Sequence, residues 1–531
     1  MTVLQAPRLV RIHAADTVAV AVVPAAAGET LRLGDREVGL AHDVPAGHKV
    51  ALVAHAPGDP VVKYGFPIGR ATEAVRPGDW VHSHNLQTAL SGEADLADVE
   101  RAPAALPDPG PAPTWQGYRR SDGRVGTRNE LWVLNTVGCV NRAAERVARQ
   151  IDRRFGPDGE GVIDGAHAFA HPFGCSQLGG DLDRTRDLLA ALARHPNCGG
   201  AVVLGLGCEN NQLAAFLDAA DPDGARRAAG RLVAFAAQLV GDEVEVGAEA
   251  AERIVDVMRG DAREAVPASA LVLGMKCGGS DGFSGVTANP LVGRLADRFA
   301  AWGARVLLTE VPEMFGAEAV LLRRAASGAV FDDTIALVQR FRDYFVAHNQ
   351  PVYENPSPGN KDGGLTTLEE KSLGAIQKGG RAPVAEVLGY AEAASAPGTF
   401  GPGTFGPGAS GPEAGGFVPG LGLIEAPGND GVSSTALTAS GATALLFTTG
   451  RGTPLGFPAP TVKMATNPDV ATQKPHWIDF GAGDLLTGEA TMDALADRLT
   501  AYVLDVASGR RTNNETNDYR EIAIWKGGVT L

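Results

Sequence analysis

Thiols mark the ends of apolar runs in this sequence. "LWVLNTVGC" ends at Cys139, "HAFAHPFGC" at Cys175, "AVVLGLGC" at Cys208 and "ALVLGMKC" at Cys277, so four of the five cysteines follow a strand-like stretch and adjoin glycine. Cys198, in "RHPNCGG", lacks such a run and reads as structural. If each run is a strand of an open parallel sheet, the four thiols are expected to converge at one carboxyl edge, where such sheets bind ligands. Thiolates there are soft donors for iron or zinc. Harder groups stand beside them: Asn141 after Cys139, His171 before Cys175, Glu209 after Cys208, and Ser280 and Asp281 in the "GGSDG" that follows Cys277. The competing account is packing alone, since small thiols fit well beneath glycine turns. No CxxC pair occurs, which leaves zinc-ribbon and ferredoxin-type readings without support.

Imidazoles and cations form two further groups. In "WVHSHN" an extended backbone would put His82 and His84 on one face. There they could bind a divalent metal or act as acid and base near neutral pH. A hydrated pair at a strand end is the plain alternative. His48 and Lys49 in "PAGHKVAL" are a weaker signal of the same kind. "NPSPGNKDGG" exposes backbone N–H groups around Lys361, and "TTGRGTPLG" presents Arg451 between two glycines after a strand-like run. Arginine can grip a carboxylate through two parallel hydrogen bonds. Neither loop has the spacing of a phosphate-cradling nucleotide motif. "TEVPEMFGAE" supplies Glu310 and Glu313 after "RVLL", so Glu310 is a candidate base or ligand, or else an ordinary helix-start carboxylate.

The elements that must position these groups are α/β. With 531 residues the chain is too long for one core. Residues 1–93 read as a small β-rich domain of short apolar stretches between Gly, Pro and Asp turns. A Pro/Ala-rich linker is expected over 94–116, followed by alternating strand-like and amphipathic helical runs that predict a body with largely parallel sheets. That body is expected in two parts, 117–260 and 261–531, with a flexible insertion at 396–420 that repeats "GTFGP" and carries no assigned chemistry. A net charge of −15 argues against a nucleic-acid partner but not against a small anion held by local cations. No signal-type h-region and no run near ~18 apolar residues is present, so neither secretion nor a membrane partner is expected. An odd number of cysteines without a secretion signal suits the reducing cytoplasm.

Taken in order, "GHKVAL", "KYGFPIGRA", "WVHSHN", "GYRRSDGRVGTRNELWVLNTVGCVN", "GCSQLGGD", "GLGCENNQ", "CGGSDGFSGVTANP", "TEVPEMFGAE", "YENPSPGNK", "TTGRGTP" and "NDYREIAIWKGGVTL" resemble the altronate/galactarate dehydratase family over nearly the whole chain. "WVHSHN", "GCENNQ" and "PEMFGAE" are similar to its altronate branch. The resemblance implies an N-terminal SAF-type β domain on a two-part dehydratase body. It further implies hydro-lyase conversion of D-altronate to 2-dehydro-3-deoxy-D-gluconate in hexuronate catabolism, with ferrous iron (Fe2+) as activator. A small-molecule sugar acid is then the partner, and a homo-oligomer is left open.

Such an elimination removes a proton beside a carboxylate and expels hydroxide from the next carbon. It needs electrostatic stabilisation of the enediolate, a base and an acid. Arg451, Lys361 and Lys463 are the candidates for the substrate carboxylate, with Asn141, Ser280, Asp281, His48 and Lys49 nearby. His82, His84, His171 and Glu310 are the candidates for proton transfer. His82 and His84 are expected to reach the site across the domain interface, opposite the cysteines and Glu209. A mononuclear iron with mixed ligands is the first arrangement considered, and a cluster on three cysteines the second. The competing functions are dehydration of another acid such as galactarate, a sugar-acid-binding protein, and a thiol redox sensor.

Overall fold

Short strands and tight turns build the N-terminal module. One antiparallel sheet runs Leu9–Val10, Val18–Ala21, Lys49–Ala51 and Trp80–Val81, and a second joins Pro60–Lys63, Phe66–Ala71 and Leu86–Gln87. A hairpin, Thr30–Leu33 with Arg36–Gly39, completes it. Leu31, Val38, Val44 and Val50 are buried in its own small core. The computed structural model describes residues 7–90, 96, 99–103, 105–395 and 418–530. Most of the 396–420 insertion and parts of the expected linker lie outside the described residues.

The body contains two separate parallel sheets. The first has β1 (Glu130–Asn135), β2 (Gly165–Ala168), β3 (Cys198–Gly205) and β4 (Leu232–Ala236) in the order β2-β1-β3-β4. Alternation along β1 sends Leu131 and Val133 to the face covered by α1 (Asn141–Phe155) and α3 (Glu243–Met258). Trp132 and Leu134 go to the face covered by α2 (Gly179–Ala193). Covered on both faces, such strands read as continuous apolar runs.

The second sheet has seven parallel strands: β5 (Val272–Cys277), β6 (Arg305–Leu308), β7 (Val384–Leu388), β8 (Gly420–Ile424), β9 (Ala444–Thr449), β10 (Thr461–Ala465) and β11 (Phe480–Gly481). Their order is β7-β8-β6-β5-β9-β10-β11. Helices α4 (Ala288–Ala301), α5 (Gly328–Ala347) and α7 (Met492–Ala507) pack on one face through Leu291, Leu295, Leu337, Leu499 and Val503. On the other face α6 (Asp430–Ala439) covers Leu445 and Phe447. The chain leaves β5 toward β6 on one side and later returns to β9 on the other. The loops after β5 and β9 therefore part and open a crevice, and those after β1 and β3 do the same in the first sheet.

Two sequence expectations need correction. The four cysteines do not share one edge, because Cys139, Cys175 and Cys208 follow strands of the first sheet and Cys277 ends a strand of the second. Apolar runs announce parallel strands but not which sheet they join. His82 and His84 are not on an extended strand either. The strand stops at Val81, and His82–Asn85 is a turn closed by Leu86 N to His82 O (2.9 Å) and by His82 N to Asn85 Oδ1 (2.9 Å). No helix among the described residues is long and apolar enough to cross a membrane.

Candidate active site

At the end of β5 lies a buried charge cluster. Lys276 Nζ pairs with Glu310 Oε1 and, at 2.8 Å, with Asp430 at the start of α6. Lys378 Nζ is 2.7 Å from Cys277 Sγ and 3.0 Å from Glu310 Oε2. Lys371 Nζ is 2.8 Å from Glu313 Oε1, and Cys277 Sγ is 3.4 Å from Glu313 Oε2. Glu310 takes φ 69°, a left-handed backbone that costs a non-glycine residue energy. Three ammoniums thus face three carboxylates. Burial alone would raise the Glu313 carboxyl, but Lys371, Lys276 and Lys378 outweigh it and hold it at about 2. Burial and the Glu310 charge push the Cys277 thiol up to about 12, so it stays protonated at neutral pH.

Four loops meet beside this cluster. Asp281 accepts from Thr466 Oγ1 (2.9 Å), Asn467 Nδ2 (3.0 Å) and Ser284 Oγ (3.0 Å), and burial raises its carboxyl above the ordinary range. Asn360 Nδ2 donates to the Ser280 carbonyl (2.8 Å), and Arg451 donates to the Gly359 carbonyl (2.6 Å). Lys361, on the same 355–364 loop, is half-buried. Lys463 does not join the group. It lies inside β10, where its ammonium donates to the Thr453 carbonyl and burial lowers it to about 8.

The N-terminal module docks on this region. His48 Nδ1 accepts from Trp80 Nε1 (3.2 Å), so Nε2 carries the proton and donates to the Asp362 carbonyl (3.2 Å). Lys49 donates to the Gly364 carbonyl (2.7 Å), and Lys49 and Lys63 share the Glu370 carboxylate, each at 2.8 Å. His82 stacks on Trp80 and meets Thr366 Oγ1 at 3.3 Å, with the exposed His84 ring 5.0 Å from the indole. Burial, Lys49 and His48 lower the His82 imidazole to about 4, so it is neutral at pH 7. The space enclosed under the module beside Tyr64, Asp281 and Glu370 is about 10 Å³, room for one water. Arg451 is exposed and Asp430 partly so at the mouth of the crevice.

The first sheet carries the other three strand-end thiols, and Cys198 is buried in β3. Cys139, Cys175 and Cys208 are exposed on loops stitched to one another by Gly138 N to Phe173 O (2.9 Å), Asn211 N to Gly174 O (2.9 Å) and Ser176 N to Asn210 Oδ1 (2.7 Å). Asn141 and His171 belong to this stitching. His171 Nε2 donates to the Asn135 carbonyl (2.8 Å) and Nδ1 accepts from Phe173 N (3.2 Å), while Asn141 donates to the His171 carbonyl (2.9 Å). With both ring nitrogens engaged, buried His171 holds the loop. Glu209 accepts from Thr136 Oγ1 (2.7 Å), Leu206 N (3.1 Å) and Gly207 N (2.6 Å). Burial would raise this carboxyl, and those bonds lower it. Gly174 sits at φ 99°, where a Cβ would lie 2.0 Å from the Thr136 carbonyl oxygen. Gly174→Ala should therefore cost about 1–3 kcal/mol, read as a lower urea midpoint.

Both edges open on the same side of the body. Helix α2 begins just beyond the Cys175 loop, α6 begins at Asp430, and the two helices pack together. The C-terminal tail ties the start of α2 to the middle of α6, through Gly527 N and Gly528 N to Asp181 (both 2.8 Å) and Ala523 N to Thr435 Oγ1 (3.0 Å). Their trailing ends line one shared cavity.

Three family models match consecutive parts of the chain: the altronate/galactarate dehydratase SAF domain over residues 7–89, the D-galactarate dehydratase/altronate hydrolase second domain over 117–259, and the D-galactarate/altronate dehydratase C-terminal domain over 268–530. The chain is 46% identical to an altronate dehydratase of Escherichia coli K12 over 98% of its own length and 99% of the relative's. The chain belongs to the altronate/galactarate dehydratase family. An altronate dehydratase of Bacillus subtilis 168 is 44% identical over 98% of this chain and 99% of its own. The galactarate dehydratase (L-threo-forming) of E. coli K12 is more distant, at 33% over 94% and 93%.

In this family member, Cys277, Glu310 and Glu313 have ligand atoms within 4.8 Å of one another, and they are the one such group of three among the described residues. They do not suit a cation. Lys276, Lys371 and Lys378 already occupy them, and a dication would add charge to a balanced set. Cys139, Cys175 and Cys208 suit iron by donor type. Their thiols are exposed on loops hydrogen-bonded to one another. Sequence reasoning missed Lys276, Lys371, Lys378, Glu370 and Asp430. Lys276 had a signal, since a lysine inside a buried strand's apolar run requires a partner.

Proposed function

We propose that this dehydratase converts D-altronate to 2-dehydro-3-deoxy-D-gluconate and water. The observation that carries the reading is end-to-end identity of 46% and 44% to two altronate dehydratases, against 33% to the galactarate enzyme. The site supports it chemically. Arg451 and Lys361 supply cations beside the crevice mouth for the substrate carboxylate. Asp430 is the cluster carboxylate with solvent access, 35% exposed, and in this reading takes the proton next to that carboxylate. Lys276 beneath it brings positive charge toward the developing enediolate. The docked module, through His48, Lys49 and His82, fixes the 362–370 segment and keeps water from the buried cluster.

We assign iron to the Cys139, Cys175 and Cys208 edge. When bound there it would supply Lewis acidity for hydroxide departure. The free state of all five cysteines supports a reducing, cytoplasmic setting. The test is anaerobic turnover of D-altronate with and without Fe2+, with galactarate in parallel and the visible spectrum of the same sample recorded. Iron-dependent 2-keto acid formation from altronate is the expected result, with brown absorbance near ~400 nm if the thiols hold a cluster. Turnover of galactarate alone would overturn the substrate assignment, and full activity after chelation would overturn the iron assignment.

A further inference from the structure

A cavity of about 170 Å³ lies between the two halves of the body, at the far end from the thiol edge and the charge cluster. Val272, which opens β5, and Thr443, just before β9, mark its depth, and the trailing ends of α2 and α6 form its sides. Most of the wall is aliphatic, including Val125, Ala191, Ala394 and Ala439. Neither catalysis nor docking uses it.

Its polar groups are incompletely matched. Arg119 is paired with Glu264 and Arg124 with Asp122. Arg194 donates to the Ala219 carbonyl (2.5 Å) but has no ion-pair partner among the described residues. Burial and the nearby Arg124 charge lower its pKa, and the Asp187 carboxylate offsets them only in part. Ser440 is 1% exposed and its hydroxyl has no hydrogen-bond partner among the described residues. Buried polar groups without partners are uncommon and ask for a reason. His195 is complete by contrast, with Nε2 on the Ala442 carbonyl (3.1 Å) and Nδ1 accepting from Asn197 N (3.1 Å).

The occupant follows from this balance. A guanidinium without an ion pair among the described residues, that of Arg194, calls for an anion, and arginine suits a carboxylate. The trailing carbonyl ends of α2 and α6 oppose dense negative charge, which disfavours a polyanion. Aliphatic walls disfavour a polyhydroxylated acid. A cavity of about 150 Å³ accommodates benzene, so this one holds an aromatic or short aliphatic body. We propose that the cavity binds a compact monocarboxylate with an apolar body, its carboxylate on Arg194 and Arg124 and its body beside Ser440, spanning the seam between the two sheets.

The test is titration calorimetry of the full-length protein at constant ionic strength, with benzoate as probe and benzamide and inorganic phosphate as comparators. One benzoate per chain is expected, with both comparators about tenfold weaker or worse, as loss of a charge-assisted pair or of the apolar body requires. Arg194→Gln keeps a donor for the Ala219 carbonyl and should weaken benzoate about tenfold. Ala394→Phe fills the cavity from its rim and should abolish binding. An unchanged melting temperature of each variant without ligand checks its fold. Saturating D-altronate should leave the benzoate Kd unchanged. Absence of benzoate binding, equal affinity in both variants, phosphate as tight as benzoate, or displacement by altronate would each overturn the proposal.

Discussion

Replacing Glu370 by alanine should destabilise the protein by about 3–5 kcal/mol, because it strands buried positive charge. Glu370 gives one oxygen to Lys49 and the other to Lys63, both at 2.8 Å, and all three side chains are at most 1% exposed. It also accepts from Thr366 N (2.9 Å). Burial by itself would raise the Glu370 carboxyl, and the two lysines reverse that and hold it at about 2 instead of 4.5. Protons therefore bind the unfolded chain before the folded one. The contribution is fully present above about pH 4.5 and is lost as pH falls toward 2. Urea unfolding of wild type and Glu370→Ala between pH 7 and 3 checks both parts. The midpoints should be far apart at pH 7 and draw together on acidification. A difference under about 1 kcal/mol at pH 7 would show that the module's docking does not depend on this carboxylate.

How much of this was legible in the sequence depends on the range of the contact. Apolar runs ending in glycine and cysteine located β1, β3 and β5, because parallel strands buried on both faces need uninterrupted hydrophobic side chains. The same runs could not say that two sheets were present, since sheet membership is decided by helix packing hundreds of residues apart in sequence. The "HSHN" turn was misread by assuming period two, although an asparagine three residues on can close a turn by accepting from His82 N. Lys371 and Lys378 were hidden for another reason. In a helical stretch a lysine is normally solvated, and only the fold turns these two onto Glu313 and Cys277. Asn141, His171 and Glu209 were correctly noticed beside the cysteines, yet their hydrogen bonds close the loops. Residue type marked the neighbourhood; the division of labour within it needed coordinates.

Asp430→Asn should lower turnover of D-altronate by about 10²–10⁴ while leaving stability within about 1 kcal/mol. Glu310 and Glu313 are 1% and 4% exposed and are held by ammoniums, so neither can meet a substrate without breaking the cluster. Asp430 differs. It lies in the first turn of α6, capped by Asn429, with its carboxylate 35% exposed and, among the described residues, only Oδ1 engaged, by Lys276 at 2.8 Å. Gly278 makes the placement possible, since a Cβ there would lie 2.4 Å from Asp430 Oδ2. Asparagine keeps the shape and the contact but cannot accept a proton from carbon, and Lys276 stays paired with Glu310. Lys276→Met is the contrasting variant. It should lose both turnover and several kcal/mol of stability, because it leaves the buried Glu310 carboxylate with Lys378 alone and frees Asp430. Steady-state kinetics beside urea unfolding separates the two variants. If Asp430→Asn turns altronate over within about threefold of wild type, the base lies elsewhere, and the exposed His84 beside Trp80 becomes the group to replace next.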